Sequence, residues 1–318
     1  MATLTDLQSE YDARRNRAEA QAETRRRALF ARWPVLQELE ERRTRVLVLK
    51  LGEVLRAPAR KEELLAAAAE EVARLDEQLL RFAGEHEIDL NALRVQYSCP
   101  RCRDTGYLTG ADGRRTPCPC LKARIYREIY GAEDLDALPG SDAAYDASLF
   151  PEEKDARQMA GIRTYVRRYA DAYPQNAKKN LVFIGGAGLG KSFMLAALAK
   201  LLREKEEDVV YLRAGRLFSL FHADRLGEGA RLEPLFAARV LLIDDLGTEP
   251  MTQNVTVEYF FRLLEERLSR DLPLLIATNL SELQLKARYT ERVSSRLLAA
   301  ATSDVIHFSG RDLRLAGK

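Results

Sequence analysis

A glycine-rich octet, Gly185-Gly186-Ala187-Gly188-Leu189-Gly190-Lys191-Ser192, separates the apolar run Leu181-Val182-Phe183-Ile184 from the helix-forming run Phe193-Met194-Leu195-Ala196-Ala197-Leu198-Ala199-Lys200. Buried strand, glycine loop and helix start, in that order, are what a phosphate-binding loop requires. Glycines reach positive φ and let the backbone approach a phosphate closely. The helix N-terminus adds partial positive charge. In such a loop the backbone from Gly185 to Gly190 cradles the phosphates of ATP, Lys191 reaches the β- and γ-phosphates, and the Ser192 hydroxyl binds Mg²⁺.

The residues that follow supply the rest of a nucleotide site. Asp208-Val209-Val210-Tyr211-Leu212 reads as a strand, and Leu217, Phe218, Leu220 and Phe221 give the next stretch a helical apolar face. Val240-Leu241-Leu242-Ile243-Asp244-Asp245 is a buried strand with two acids at its C-terminal edge, where open α/β sheets bind ligands. Some fifty residues after a phosphate loop, it is a Walker B strand. Asp244 is placed to hold Mg²⁺ and Asp245 to orient the attacking water. Leu274-Leu275-Ile276-Ala277-Thr278-Asn279 is another buried strand. Its Asn279 either reaches the γ-phosphate or the water, or caps the strand end. With Val305-Ile306-His307-Phe308 as a fifth strand, the expected fold class is α/β, a doubly wound parallel sheet with helical crossovers.

All four cysteines fall in one short stretch: Cys99-Pro100-Arg101-Cys102, then Cys118-Pro119-Cys120. Exclusive clustering at short spacing points to zinc rather than disulfides. Four thiolates close a tetrahedral structural site with no open position for catalysis. Around them Arg101, Arg103, Arg114, Arg115, Lys122, Arg124 and Arg127 form the most basic short stretch, either touching phosphate or solvated.

Before the cysteines, Leu4, Leu7, Tyr11, Ala18 and Ala22 lie at helical spacing in a charged stretch, and Pro34 marks a break and restart. Val46-Leu47-Val48-Leu49 is ambiguous. Leu64, Leu65, Ala68, Val72, Leu75, Leu79 and Leu80 repeat as one helix face, with Gly84 as a stop. These segments read as a helical hairpin or coiled coil. In residues 1 to 95, 17 basic face 18 acidic side chains, so the region is no basic arm. The expected domains are 1–95 helical, 96–130 zinc module, 131–151 a linker of Gly, Asp, Ala, Pro and Ser, and 152–318 the ATPase. His86, His222 and His307 show no ligand spacing. A formal charge of +2 announces no nucleic-acid binder by itself. No apolar run approaches a membrane span and the N-terminus lacks a signal-peptide pattern, so a cytoplasmic protein is expected.

Taken together, the phosphate loop, Asp244-Asp245-Leu246-Gly247-Thr248-Glu249, Leu263-Leu264-Glu265-Glu266-Arg267-Leu268, Thr278-Asn279-Leu280, Glu291-Arg292-Val293-Ser294-Ser295-Arg296-Leu297 and Phe308-Ser309-Gly310-Arg311-Asp312-Leu313-Arg314 closely resemble the AAA+ ATPases of the DnaC/DnaI bacterial helicase-loader family. Cys99 to Tyr107 resembles the zinc module of Firmicutes members. The resemblance spans about residues 97 to 315. It implies a self-assembling ATPase that delivers the hexameric DnaB-type replicative helicase onto single-stranded DNA, without a membrane. By the same resemblance Arg296 is the arginine finger for a neighbouring subunit's ATP, with Arg292 the runner-up. The second Walker B acid is Asp where many AAA+ enzymes have Glu, and 22 residues follow Arg296, too few for a helical lid carrying a second sensor arginine. Arg311 and Arg314 are weak substitutes. A slow, switch-like ATPase is therefore expected. The alternatives are an IstB-like transposition helper, and a zinc-stabilised adaptor that binds nucleotide without turnover.

Overall fold

Charged residues with a thin apolar stripe favour long helices that bury one face each. The computed structural model describes residues 3–141, 143–206, 208–229 and 231–314. It divides into two compact units, 8–116 and 117–318 together with 1–7. In the first unit, α1 (Leu4–Arg32) is followed at Pro34 by α2 (Pro34–Arg56) and then α3 (Lys61–Glu85). The proline fits the first turn of α2, where its missing N–H has no intrahelical partner to lose. Leu36 and Leu39 of α2 pack on Leu75 and Leu79 of α3, with Trp33, Phe82 and Val46 at the margin. This is a helical hairpin. The ambiguous run at 46–49 is helical, and Leu47, Val48 and Leu49 face solvent. His86 packs against Trp33, with ring centroids 4.3 Å apart.

β1 (Tyr107–Thr109) and β2 (Arg115–Pro117) pair as a small ribbon, and α4 (Pro119–Arg124) follows. The second unit then runs α5 (Glu153–Ala172), β3 (Asn180–Gly185), α6 (Lys191–Arg203), β4 (Val209–Arg213), α7 (Ala214–Arg225), α8 (Glu233–Phe236), β5 (Val240–Leu246), α9 (Thr256–Ser269), β6 (Leu274–Thr278), α10 (Glu282–Leu297) and β7 (Ser303–Phe308). Among the described residues the main sheet has five strands in the order β4-β5-β6-β3-β7. Every pairing is parallel. Strand alternation sorts the core: Val182, Ile184, Leu241 and Ile243 face α7, α9 and α10. Leu181, Phe183, Tyr211, Val240 and Leu242 face α5 and α6. Helices cover both faces, as continuous apolar strands require.

Residues 131–151, whose composition reads as a linker, lie along the second unit's core. Glu133 N–H donates to Tyr211 O at 2.9 Å. Arg203 grips Asp136 with both guanidinium nitrogens, at 2.5 and 3.1 Å. Gly140 lies so close to α6 that a Cβ there would collide with the carbonyl of Phe193. Small and polar residues are here because the strap is tightly packed. Asp142 of this stretch lies outside the described residues. The strap extends back: Tyr126 and Tyr130, in the stretch read as zinc module, are buried in the core and donate to Pro234 O and Arg231 O.

Candidate nucleotide site

The phosphate loop leaves the C-terminal end of β3, where the strand order turns over between β6 and β7, and opens α6. Such a switch point is where open α/β sheets hold ligands. Gly188 (φ 72°) and Gly190 (φ 86°) occupy left-handed conformations that a Cβ disfavours. Gly185, Gly186, Ala187 and Leu189 complete the turn, with Leu189 buried.

Lys191 opens α6 and is largely buried; its Nζ donates to Gly186 O at 2.5 Å and to Asn279 Oδ1 at 2.7 Å. Burial pulls its pKa down, opposed by the carboxylates of Asp245 and Asp244. Strand parity puts Asp244 on the same sheet face as Val240 and Leu242, which is the face α6 covers. There Ser192 Oγ donates to Asp244 Oδ1 at 2.9 Å. Tyr211 OH donates to Asp244 Oδ2 at 2.8 Å. Burial pushes the Asp244 carboxyl up, and the Tyr211 and Ser192 bonds work against that rise. Asp245 adopts φ 56°, beside a register irregularity between β5 and β6, and its N–H donates to Asp244 Oδ1 at 2.9 Å. Bulges of this kind re-aim side chains beside functional sites.

The structure thus forms two bonded pairs, Lys191 with Asn279 and Ser192 with Asp244, joined through the adjacent positions 191 and 192, with Asp245 next in chain. The two metal candidates, Ser192 and Asp244, already share a hydrogen bond. A hydroxyl and a carboxylate oxygen are the hard donors Mg²⁺ takes, and the ammonium of Lys191 complements phosphate. The residues fit Mg²⁺-ATP.

Arg296 lies apart from this cluster. It pairs with Glu265 of α9 through Nε, and its guanidinium stands 4.7 Å from the Phe261 ring centroid. Arg292 stacks closer on the same ring, at 3.8 Å. A half-exposed ion pair such as Arg296–Glu265 contributes about 0–1 kcal/mol and an exposed cation–π contact about 0.5–1 kcal/mol, so both side chains can be released at little cost. Arg311 pairs with Glu152, while Leu313 N–H donates to Gly188 O at 2.9 Å, placing the 308–314 run beside the loop.

The sulfurs of Cys99, Cys102, Cys118 and Cys120 all lie within 4.8 Å of one another. Tetrahedral zinc with Zn–S bonds of about 2.3 Å sets its sulfurs about 3.8 Å apart, so the four thiols fit one ion. The turn after the first pair is built for this: Arg103 and Asp104 both take positive φ. Buried Asp104 accepts from the N–H groups of Ser98 and Cys99, each at 2.8 Å. Of the basic residues nearby, Lys122 pairs with Asp208, Arg124 with Glu128 and Arg127 with Glu128 and Asp134. Those three are engaged with acids of the same chain.

Three residues escaped the sequence reading. Tyr211 reads in the sequence as ordinary strand, although a hydroxyl in an otherwise aliphatic buried run needs a partner. Asp104 and Glu249 carry no role in the sequence pattern, and both are buried acids.

Fold and site together define a P-loop nucleotide-binding domain of the AAA+ type. The profile of the IstB-like ATP binding protein family matches residues 144–312, just over half of the chain, and the chain belongs to that family. The chain is 32% identical over 162 residues to the replicative helicase loader DnaI of Bacillus subtilis (strain 168), covering 48% of this chain and 51% of that protein. It is 30% identical over 142 residues, covering 44% of this chain and 55% of the relative, to y4uH of Sinorhizobium fredii (strain NBRC 101917 / NGR234), designated an insertion-sequence ATP-binding protein. The chain thus spans about half the length of these curated relatives. Its fold is similar to the crystal structure of DnaI, with a TM-score of 0.46 and 22% identity over 56% of this chain and 95% of that one. Among the described residues no helix is long and apolar enough to cross a membrane.

Proposed function

We propose that this protein is an ATP-hydrolysing loader that delivers a replicative DnaB-type helicase onto single-stranded DNA, working in the cytoplasm as a self-assembled set of subunits. The observation that carries the reading is its similarity to the DnaI loader at 32% identity, in a chain that keeps the whole P-loop cluster. Bound Mg²⁺-ATP supplies the phosphoanhydride and the charge the metal neutralises. Lys191 and the backbone of 185–190 hold phosphate, Ser192 and Asp244 hold the metal, and Asp245 orients water for attack. Asn279, already bonded to Lys191 Nζ, senses the γ-phosphate. Arg296, or Arg292 beside it, completes a neighbour's site, where a guanidinium stabilises charge that develops during phosphoryl transfer. The four cysteines hold zinc as a folding element. Turnover is slow and switch-like, with ATP marking the loading-competent state.

The similarity to y4uH supports a second reading, an ATP-dependent helper of a transposase. Affinity capture with the full chain separates them. The loader reading expects the organism's replicative helicase to be retained with ATP, and helicase transfer onto circular single-stranded DNA. Retention of a transposase without helicase would replace it with the second reading. Retention of helicase with no ATP turnover, with or without single-stranded DNA, would leave a nucleotide-locked adaptor.

A further inference from the structure

Glu249 is an acid without exposed side-chain surface, just beyond the Walker B strand. Its Oε2 folds back to accept from Gly247 N–H at 2.9 Å, while Oε1 accepts from Arg288 Nε at 3.2 Å and from Tyr289 OH. Arg288 also donates to the Glu249 carbonyl. The carboxylate therefore clamps the turn after Asp245 to one point on α10. The turn is held from its other side as well: Thr278 Oγ1, next to Asn279, donates to Leu246 O at 2.6 Å.

Immediately after the clamp, α10 breaks. Thr290 takes φ 72° and ψ 162° inside the helix, and Ser294 Oγ, one turn further on, donates back to Thr290 O at 3.0 Å. A β-branched residue in that conformation persists only where its surroundings over-determine it. On one side stand Arg288 and buried Tyr289; on the other, Val293 and Leu297 anchor the restarted turn. The short segment so aimed carries Arg292 and Arg296. A buried ion pair is a poor device for stability alone, since desolvation offsets its attraction. Its position between the Walker B turn and the arginine-bearing segment gives it another use.

We propose that Glu249, with Arg288 and Tyr289, is a positioning device that sets the aim of Arg292 and Arg296 and so governs hydrolysis in the neighbouring subunit rather than in its own. This rests on the reading of those arginines as acting between subunits. The test is ATP turnover by mixed assemblies. Glu249→Gln, Tyr289→Phe and Arg296→Ala are each assayed alone, then mixed with excess Asp245→Asn, which brings an intact arginine segment and whose own turnover is subtracted. Alone, Glu249→Gln and Tyr289→Phe lose turnover toward the ~10²-fold that a misplacement of about 1 Å costs, with nucleotide affinity unchanged. In the mixture, turnover per variant chain returns to that of wild type mixed with Asp245→Asn. If Arg296→Ala is rescued and the two clamp variants, folded and binding nucleotide, are not, the clamp acts within its own site and the proposal is overturned. If Arg296→Ala is not rescued either, the intersubunit reading fails first and the proposal falls with it. Tyr289→Phe keeps the buried ring, so a folding failure of Glu249→Gln leaves the test standing.

Discussion

Replacing Tyr211 by phenylalanine removes one oxygen and leaves the ring in its buried place. That oxygen donates to Asp244 Oδ2 at 2.8 Å, on the opposite carboxylate oxygen from the Ser192 and Asp245 N–H contacts. A hydrogen bond to a charged acceptor contributes about 1.5–3 kcal/mol. Partners that orient a metal ligand are worth about 10–100-fold in metal affinity, or ~1.4–2.8 kcal/mol, the same range. Tyr211→Phe should therefore raise the Mg²⁺ concentration needed for half-maximal binding of a fluorescent ATP analogue by about 10–100-fold. Melting temperature measured without nucleotide should fall, because Asp244 is left buried with one oxygen less well bonded. Tyr165→Phe is the control: its hydroxyl bonds the distant Asp304 carboxylate, so it should lower stability and leave the Mg²⁺ dependence unchanged. A folded Tyr211→Phe protein with wild-type Mg²⁺ half-saturation would refute the assignment of Asp244 as a metal ligand held by Tyr211.

Burial raises the Asp244 pKa above its unfolded value. The charged form thus costs stability at neutral pH, and that cost disappears as pH falls through the folded pKa. Asp244→Asn should melt higher than wild type at pH 7 without nucleotide, with the gain shrinking on acidification, and should lose Mg²⁺-dependent nucleotide binding. Wild-type Mg²⁺ half-saturation should begin to climb at a higher pH than an ordinary aspartate would dictate; differential scanning fluorimetry and metal titration read both. Gly190→Ala forces a left-handed alanine at φ 86°, a strain of about 1–2 kcal/mol already present without nucleotide, so the melting temperature measured by differential scanning fluorimetry should fall. Elemental analysis of purified protein should find about one zinc per chain, the occupancy one set of four thiolates supports, and chelation should lower the melting temperature. A folded, metal-free protein would refute the zinc assignment.

Much of the candidate nucleotide site is legible because the phosphate loop and the acidic strand end are local in sequence. Strand, glycine loop and helix start are consecutive residues, and the acids end a strand whose aliphatic run announces burial. Helix breaks at Pro34 and the paired apolar faces of α2 and α3 were legible for the same reason. What remained hidden depends on pairings between distant positions. Tyr211 bonds Asp244 because β4 and β5 are neighbours in the sheet and their residues alternate in phase. Glu249 meets Arg288 across 39 positions. At residues 131–151 composition does not separate a linker from a strap, since the small and polar residues that make a linker are also those that let a strap lie close against α6. Arg296 was read through its resemblance to a finger, and in the single chain it rests on Glu265 and Phe261.

On the proposed reading, one chain holds only part of the hydrolytic site. ATP turnover per chain, measured across protein concentration with and without single-stranded DNA, decides whether that is so. Per-chain turnover should rise cooperatively with concentration and with DNA in the wild type, and stay near its low-concentration value in Arg296→Ala. Turnover per chain that is independent of concentration, or an Arg296→Ala profile that matches wild type, would contradict it.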